Sequence, residues 1–172
     1  MLAIFKRETR SYFTSMIGYV VIAVILAFIG LYYSANCLVY GTSDFSIVLY
    51  STTLVMLFVL PALSMRSFAD ERRNKTDQLL LTSPVTIPQI VLGKFLAQLV
   101  VFAVPMVVAC IMPLILKGFG TVSLTSAYAT LFAYFLLGAS CIAVGTFISV
   151  LTENQIIAYL ATFGVLLVAY LM

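Results

Sequence analysis

The sequence predicts an all-α polytopic membrane bundle, with an amphipathic interfacial helix at its N-terminus and one charged cytoplasmic segment between its second and third spans. Three observations carry this. Hydrophobic residues make up 63% of the 172 and charged residues only 9%, whereas a soluble domain holds about a quarter charged residues. A chain this short of charge cannot clothe a globular surface for water, so lipid is its solvent. The apolar residues gather in runs near the ~20 residues that cross a bilayer. The basic residues stand at the ends of those runs, as the positive-inside rule requires, and not in the single stripe of a nucleic-acid surface.

Residues 1–16 come first. At about 100° per residue, Leu2, Phe5, Thr9, Tyr12, Phe13 and Met16 fall on one face. Lys6, Arg7, Arg10, Ser11 and Thr14 fall on the other, and Ile4 is the misfit. Such a helix lies in the membrane interface, basic residues towards anionic lipid headgroups and aromatics in the acyl boundary. A plain extension of the first span is the alternative. No cleavable signal is read here: the apolar stretch that follows has spanning length, and no A-x-A site succeeds it.

Five spans are expected, over 17–36, 46–65, 90–116, 124–150 and 155–172. If they alternate, Lys6, Arg7, Arg10, Arg66, Arg72, Arg73, Lys75 and Lys94 share one side, and Lys117 stands alone on the other. This places the N-terminus and the 66–89 segment in the cytoplasm, in a multi-pass protein of the plasma (in a bacterium, inner) membrane. Pro105 and Pro113 predict kinks in the third span. Tyr32, Tyr33 and Tyr40 suit an outer aromatic belt. On one face of the fourth span, Gly138, Cys141, Gly145 and Ser149 recur, a spacing that lets helices approach closely. That face is either a seam between two chains or packing within one. Cys37, Cys110 and Cys141 show no C-x-x-C spacing and read as small packing residues.

The cytoplasmic segment holds nearly half the charge of the chain, in Arg66, Asp70, Glu71, Arg72, Arg73, Lys75 and Asp77. Ser67 suits an N-cap, with Asp70 in the capping-box position and Glu71 in the first turn. Arg72, Arg73 and Lys75 follow, the order that complements a helix dipole. Leu79, Leu80 and Leu81 then form an apolar patch, Ser83-Pro84 ends the helix, and Thr86 with Pro88 opens the next. A loop that merely sets topology needs a few cations and none of the rest. Mixed charge with an apolar shoulder has the character of a protein-docking surface.

Several chemistries are excluded. Histidine is absent, which removes the commonest metal ligand and general base. There is no GxxxxGK[ST] to cradle ATP phosphates, no HExxH and no GxSxG. Proton-coupled carriers and intramembrane enzymes need ionisable groups inside the bundle, and Asp44 and Glu153 sit in short loops.

The run R-S-F-A-D-E-R-R-N-K-T-D-Q-L-L-L-T-S-P-V from Arg66 to Val85, continued by I-V-L-G-K-F from Ile90 to Phe95, resembles the signature of ABC-2 type transporter permeases. Those carry an E-x-R-x-x-G-T-x-x-x-L-L-x-x-P stretch after the second transmembrane helix and a GK opening the third. Lys75 stands where the family usually has glycine. Leu151 to Gln155 resembles the family's loop between the fourth and fifth helices, and the basic N-terminal helix its connecting helix. The likeness is to the gliding-motility and nitrous-oxide-reductase-maturation branch.

The resemblance implies a membrane subunit that is not itself an enzyme, needs no cofactor, and exports its substrate with a separate ATP-binding cassette ATPase subunit. Asp70–Thr82 would be the coupling helix. Asp70, Glu71, Arg72 and Arg73 would make its polar contacts to the ATPase, and Leu79, Leu80 and Leu81 its apolar seat. Gly93-Lys94 would mark the return to the membrane, and a second permease chain would complete the pathway. Such permeases usually have six spans, so five runs look like a chain that ends before its sixth. A non-transporting scaffold that recruits a cytoplasmic partner through the same segment is the alternative. The aliphatic and aromatic walls suit lipids, hydrophobic drugs, peptides and glycolipid carriers equally.

Overall fold

In a computed structural model, residues 2–41, 44–68, 87–119, 123–152 and 154–172 are described. Their regular structure is helical throughout: α1 (Leu2–Thr14), α2 (Met16–Tyr33) running into a π-helical turn (Ser34–Val39), α3 (Phe45–Ser64), α4 (Ile87–Ala109), α5 (Met112–Phe119), α6 (Leu124–Leu151) and α7 (Gln155–Leu171). Four stretches are long and apolar enough to cross a membrane: Met16–Cys37, Phe45–Ser64, Pro88–Gly118 and Leu124–Leu151. α7 is equally apolar at 17 residues, about 26 Å of helix against a hydrocarbon core of about 30 Å. The all-α bundle expected from composition is the observed fold.

α3 is the central helix, packed against α2, α6 and α7, while α4 lies against α2 and α6. Lipid tails are as apolar as leucine, so close packing of small residues has to bring such helices together. The small-residue face of α6 does this within the chain. A Cβ on Gly138 would overlap the Phe102 ring of α4 and the end of Met56 on α3. One on Gly145 would fall 2.1 Å from the Ser64 hydroxyl. Cys141 and Ser149 are buried on the same face. Of the two readings of this face, packing within the chain is the one observed.

The third apolar run is one helix as far as Ala109, passing through Pro105 without interruption. It breaks at Cys110 and Ile111 and resumes as α5. Pro113 accounts for the break: it lacks the N–H that would reach the Ala109 carbonyl, and its ring crowds that oxygen. Carbonyls exposed there are capped by tyrosines. Tyr128 donates to Cys110 O at 3.3 Å and Tyr33 to Met112 O at 3.5 Å. Tyr33, expected in an interfacial belt, thus also bonds to the break.

α1 departs from the sequence expectation in one respect. Part of its apolar stripe faces protein, because α1 packs along α4. Tyr12 is buried in the core. Ile4, the misfit, sits against Gly93, whose Cβ would approach it to 3.2 Å. Met16 keeps the outward orientation, at 84% exposure. Between α1 and α2, Ser15 takes an extended backbone and its hydroxyl accepts from Ile17 N at 3.2 Å, capping α2. The elbow is tight enough that a Cβ on Gly18 would lie 2.3 Å from the Tyr12 carbonyl oxygen. Backbone cannot yield as a side-chain tip can. Gly18→Val is therefore expected to destabilise the protein by roughly 1–3 kcal/mol, as overpacking does. The thermal unfolding midpoint in detergent checks this, with Gly30→Val, whose site is open, as the neutral comparison; equal midpoints for the two variants would refute it.

Candidate functional site

The residues singled out for docking, Asp70, Glu71, Arg72, Arg73, Leu79, Leu80 and Leu81, lie outside the described residues, as do Lys75 and Glu153. The described residues show how both flanks of that segment are held. After α3, the chain turns over residues 65–68, with Met65 N donating to Pro61 O at 2.9 Å and Ser67 N to Ser64 O at 3.0 Å. On the far flank, α4 begins at Ile87 and carries Lys94 two turns later.

Lys94 is the centre of the arrangement. At 1% exposure it is buried among α1, α4 and the 65–68 turn. Its ammonium donates to Ser67 O at 2.6 Å and lies 3.5 Å from Glu8 Oε1. It also stands 4.8 Å from the centre of the Phe68 ring, a cation–π contact. An ammonium taken out of water needs partners of this kind, and these come from two separate parts of the chain, α1 and the turn after α3. Sequence spacing assigned Lys94 only the role of a flanking cation. Glu8 was the available signal, as the lone acid among the basic residues of α1, but 86 positions separate it from Lys94.

Other bonds fasten the turn on either side. Arg66 Nη1 donates to Ser15 Oγ at the α1–α2 elbow. On the α6 side, Ser149 Oγ accepts from Phe68 N at 3.2 Å and donates to Met65 O at 3.3 Å. The Tyr12 hydroxyl donates to Leu63 O at 3.5 Å. Burial, reinforced by the charge of Glu8, holds the Tyr12 phenol well above the usual range, so it stays neutral. Gln98, one turn beyond Lys94, is fully buried, and its amide has no hydrogen-bond partner among the described residues. Beside Phe68, an apolar cavity of about 430 Å³ opens between α4 and α6, lined by Val91, Phe95, Thr146, Phe147 and Val150.

Among the described residues this geometry offers no nucleophile poised beside a base; it is an anchorage. A family model described as ABC-2 family transporter protein matches residues 5–172. The chain belongs to the ABC-2 transporter family. No curated protein and no solved structure gives a match. As an ABC-2 membrane domain with four apolar helices of spanning length, the chain is a multi-pass membrane protein. The family match covers α1 from Phe5 onward, the anchored turn and α4 together.

The anchorage gives a test in this ABC-2 chain. Lys94→Met keeps the volume but leaves the Glu8 carboxylate and Ser67 carbonyl without their cation. Removing one member of a buried pair costs about 3–5 kcal/mol, so a large fall in the unfolding midpoint is expected. Adding Glu8→Gln should recover part of the loss, because no uncompensated charge then stays buried. If the double variant loses the full sum of the two single losses, Lys94 and Glu8 do not act as a pair.

Proposed function

We propose that this ABC-2 chain is the permease subunit of an ATP-binding cassette exporter, driven by ATP hydrolysis on a separate cytoplasmic subunit. The observation that carries the reading is the family match over 5–172. In this reading Asp70–Thr82 is the coupling helix, docking through Asp70, Glu71, Arg72 and Arg73 with Leu79, Leu80 and Leu81 as its apolar seat. The anchorage supports it physically. A segment whose flanks are tied at once to α1, α4 and α6 passes a displacement to all three, and a switch needs such an element biased by two nucleotide states. Two permease chains would enclose the pathway.

The test is co-purification of a cytoplasmic ATP-binding cassette ATPase with this chain, together with its ATP turnover in membranes. Glu71→Lys and Leu80→Asp should each weaken docking by ~2–5 kcal/mol, the scale of a desolvated interface contact. Thr42→Ala, between the first and second expected spans and far in sequence from this segment, should leave recovery and turnover unchanged. The native mass of the recovered complex counts its permease chains: two supports the dimeric plan and one refutes it. Normal recovery and turnover for both variants would reduce the segment to a topological loop.

Orientation has its own measurement. With Cys37, Cys110 and Cys141 replaced by serine, Asn74→Cys should resist an impermeant maleimide in intact cells and react after lysis. Labelling before lysis would reverse the assigned topology.

A further inference from the structure

Buried hydroxyls through most of the bundle have found partners. Thr52, Ser64, Thr146, Ser149 and Thr162 each donate to a backbone carbonyl. The joint around Gln98 is different. Among the described residues, the buried polar side-chain atoms without a hydrogen bond are Thr9 Oγ1, Ser67 Oγ and both amide atoms of Gln98. They belong to α1, the 65–68 turn and α4, the elements that meet at Lys94. Gln98 is 0% exposed and Ser67 3%, so bulk water satisfies neither. The Tyr12 hydroxyl belongs to the same group. Burial raises this phenol, while Gln98 and Ser67 pull weakly the other way, which places both beside its oxygen although neither bonds to it. The hydroxyl's own bond, to Leu63 O, is long at 3.5 Å. Buried polar groups are bonded as a rule, and a cluster of exceptions in one place calls for a partner.

We propose that this joint binds a buried water molecule, which bridges the Gln98 amide to the Tyr12 and Ser67 hydroxyls. Water both donates and accepts, as the two atoms of one amide require, and a buried water typically makes about three bonds. A direct bond between Gln98 and Tyr12 would serve one amide atom and leave the other, with Ser67, unbonded. A simple ion would meet either the donors or the acceptors, and not both. Bonds through such a water are nearly as favourable as direct ones. The site therefore ties α1 to the turn and to α4 a second time, one turn along each helix from the Glu8–Lys94 pair.

The test is hydroxyl-radical footprinting of the full chain in detergent, where irradiation makes radicals from bound water in place. Tyr12, only 4% exposed, should be modified several-fold more than Tyr134, which is 5% exposed and serves as the dry control. On rapid mixing with heavy-oxygen water, the oxygen added to Tyr12 should change isotope more slowly than that added to Tyr40, which is 76% exposed. Gln98→Met, of similar volume, should bring the modification of Tyr12 down to the level of Tyr134 and lower the thermal unfolding midpoint. A dry, unbonded amide gives the opposite shift, because its removal stabilises. Three results would each overturn the proposal: modification of Tyr12 no greater than that of Tyr134, isotope exchange at Tyr12 as fast as at Tyr40, or a raised midpoint in Gln98→Met. If Gln98→Met does not fold, the two tyrosine comparisons in the unaltered chain still decide.

Discussion

A desolvated ammonium sets the terms for this end of the molecule. Lys94 sits where α1, α4 and the 65–68 turn meet, buried from solvent. Its charge is tolerable there only with a carboxylate, a carbonyl and an aromatic face around it. Glu8, Ser67 and Phe68 supply these from α1 and from the turn after α3. An apolar residue would leave those groups free to slide against one another, since van der Waals contact between greasy helices has little preference for register. The ion pair and the short bond fix the register. The 65–68 turn then reaches α6 through Ser149 and the elbow through Arg66.

The rest of the bundle obeys a different logic. Around α3 the close contacts are made by missing side-chain volume: Gly145 under Ser64, and Gly138 under Phe102 and Met56. The buried threonines of the spans satisfy themselves locally. Thr52 donates to Val48 O and Thr162 to Ala158 O, each one turn back on its own helix. Helices so packed move as bodies rather than deforming. Under the proposed function, a displacement entering through the anchored flanks therefore reaches the bundle as a rigid shift, and the Pro113 break in the third apolar run offers a place for it to be absorbed.

α1 has a buried side and an exposed side. Its acid, Glu8, and its phenol, Tyr12, lie one turn apart on the side that packs against protein. Its arginines lie on the opposite side. Sorting one helix by charge sign in this way lets it pack against the bundle through Glu8 and Tyr12 while Arg7 and Arg10 stay exposed.

The membrane class and four of the five expected spans were legible in the sequence because each depends on local quantities: apolar run length, charge at run ends, caps and prolines. Pro113 shows the same locality, since the break it causes is a property of one ring and one carbonyl. The docking residues from Asp70 to Leu81 were read from their motif and lie beyond the described structure. Other decisions lay outside any window of sequence. Whether the α6 glycine face met a second chain or its own neighbours depended on where α3 and α4 stood. Which side of α1 faced protein depended on Glu8 finding Lys94, 86 positions away. An amphipathic pattern reports that two faces differ, but burial of a charge is decided by partners that only the folded chain brings within about 4 Å, where attraction in a low dielectric offsets the loss of water.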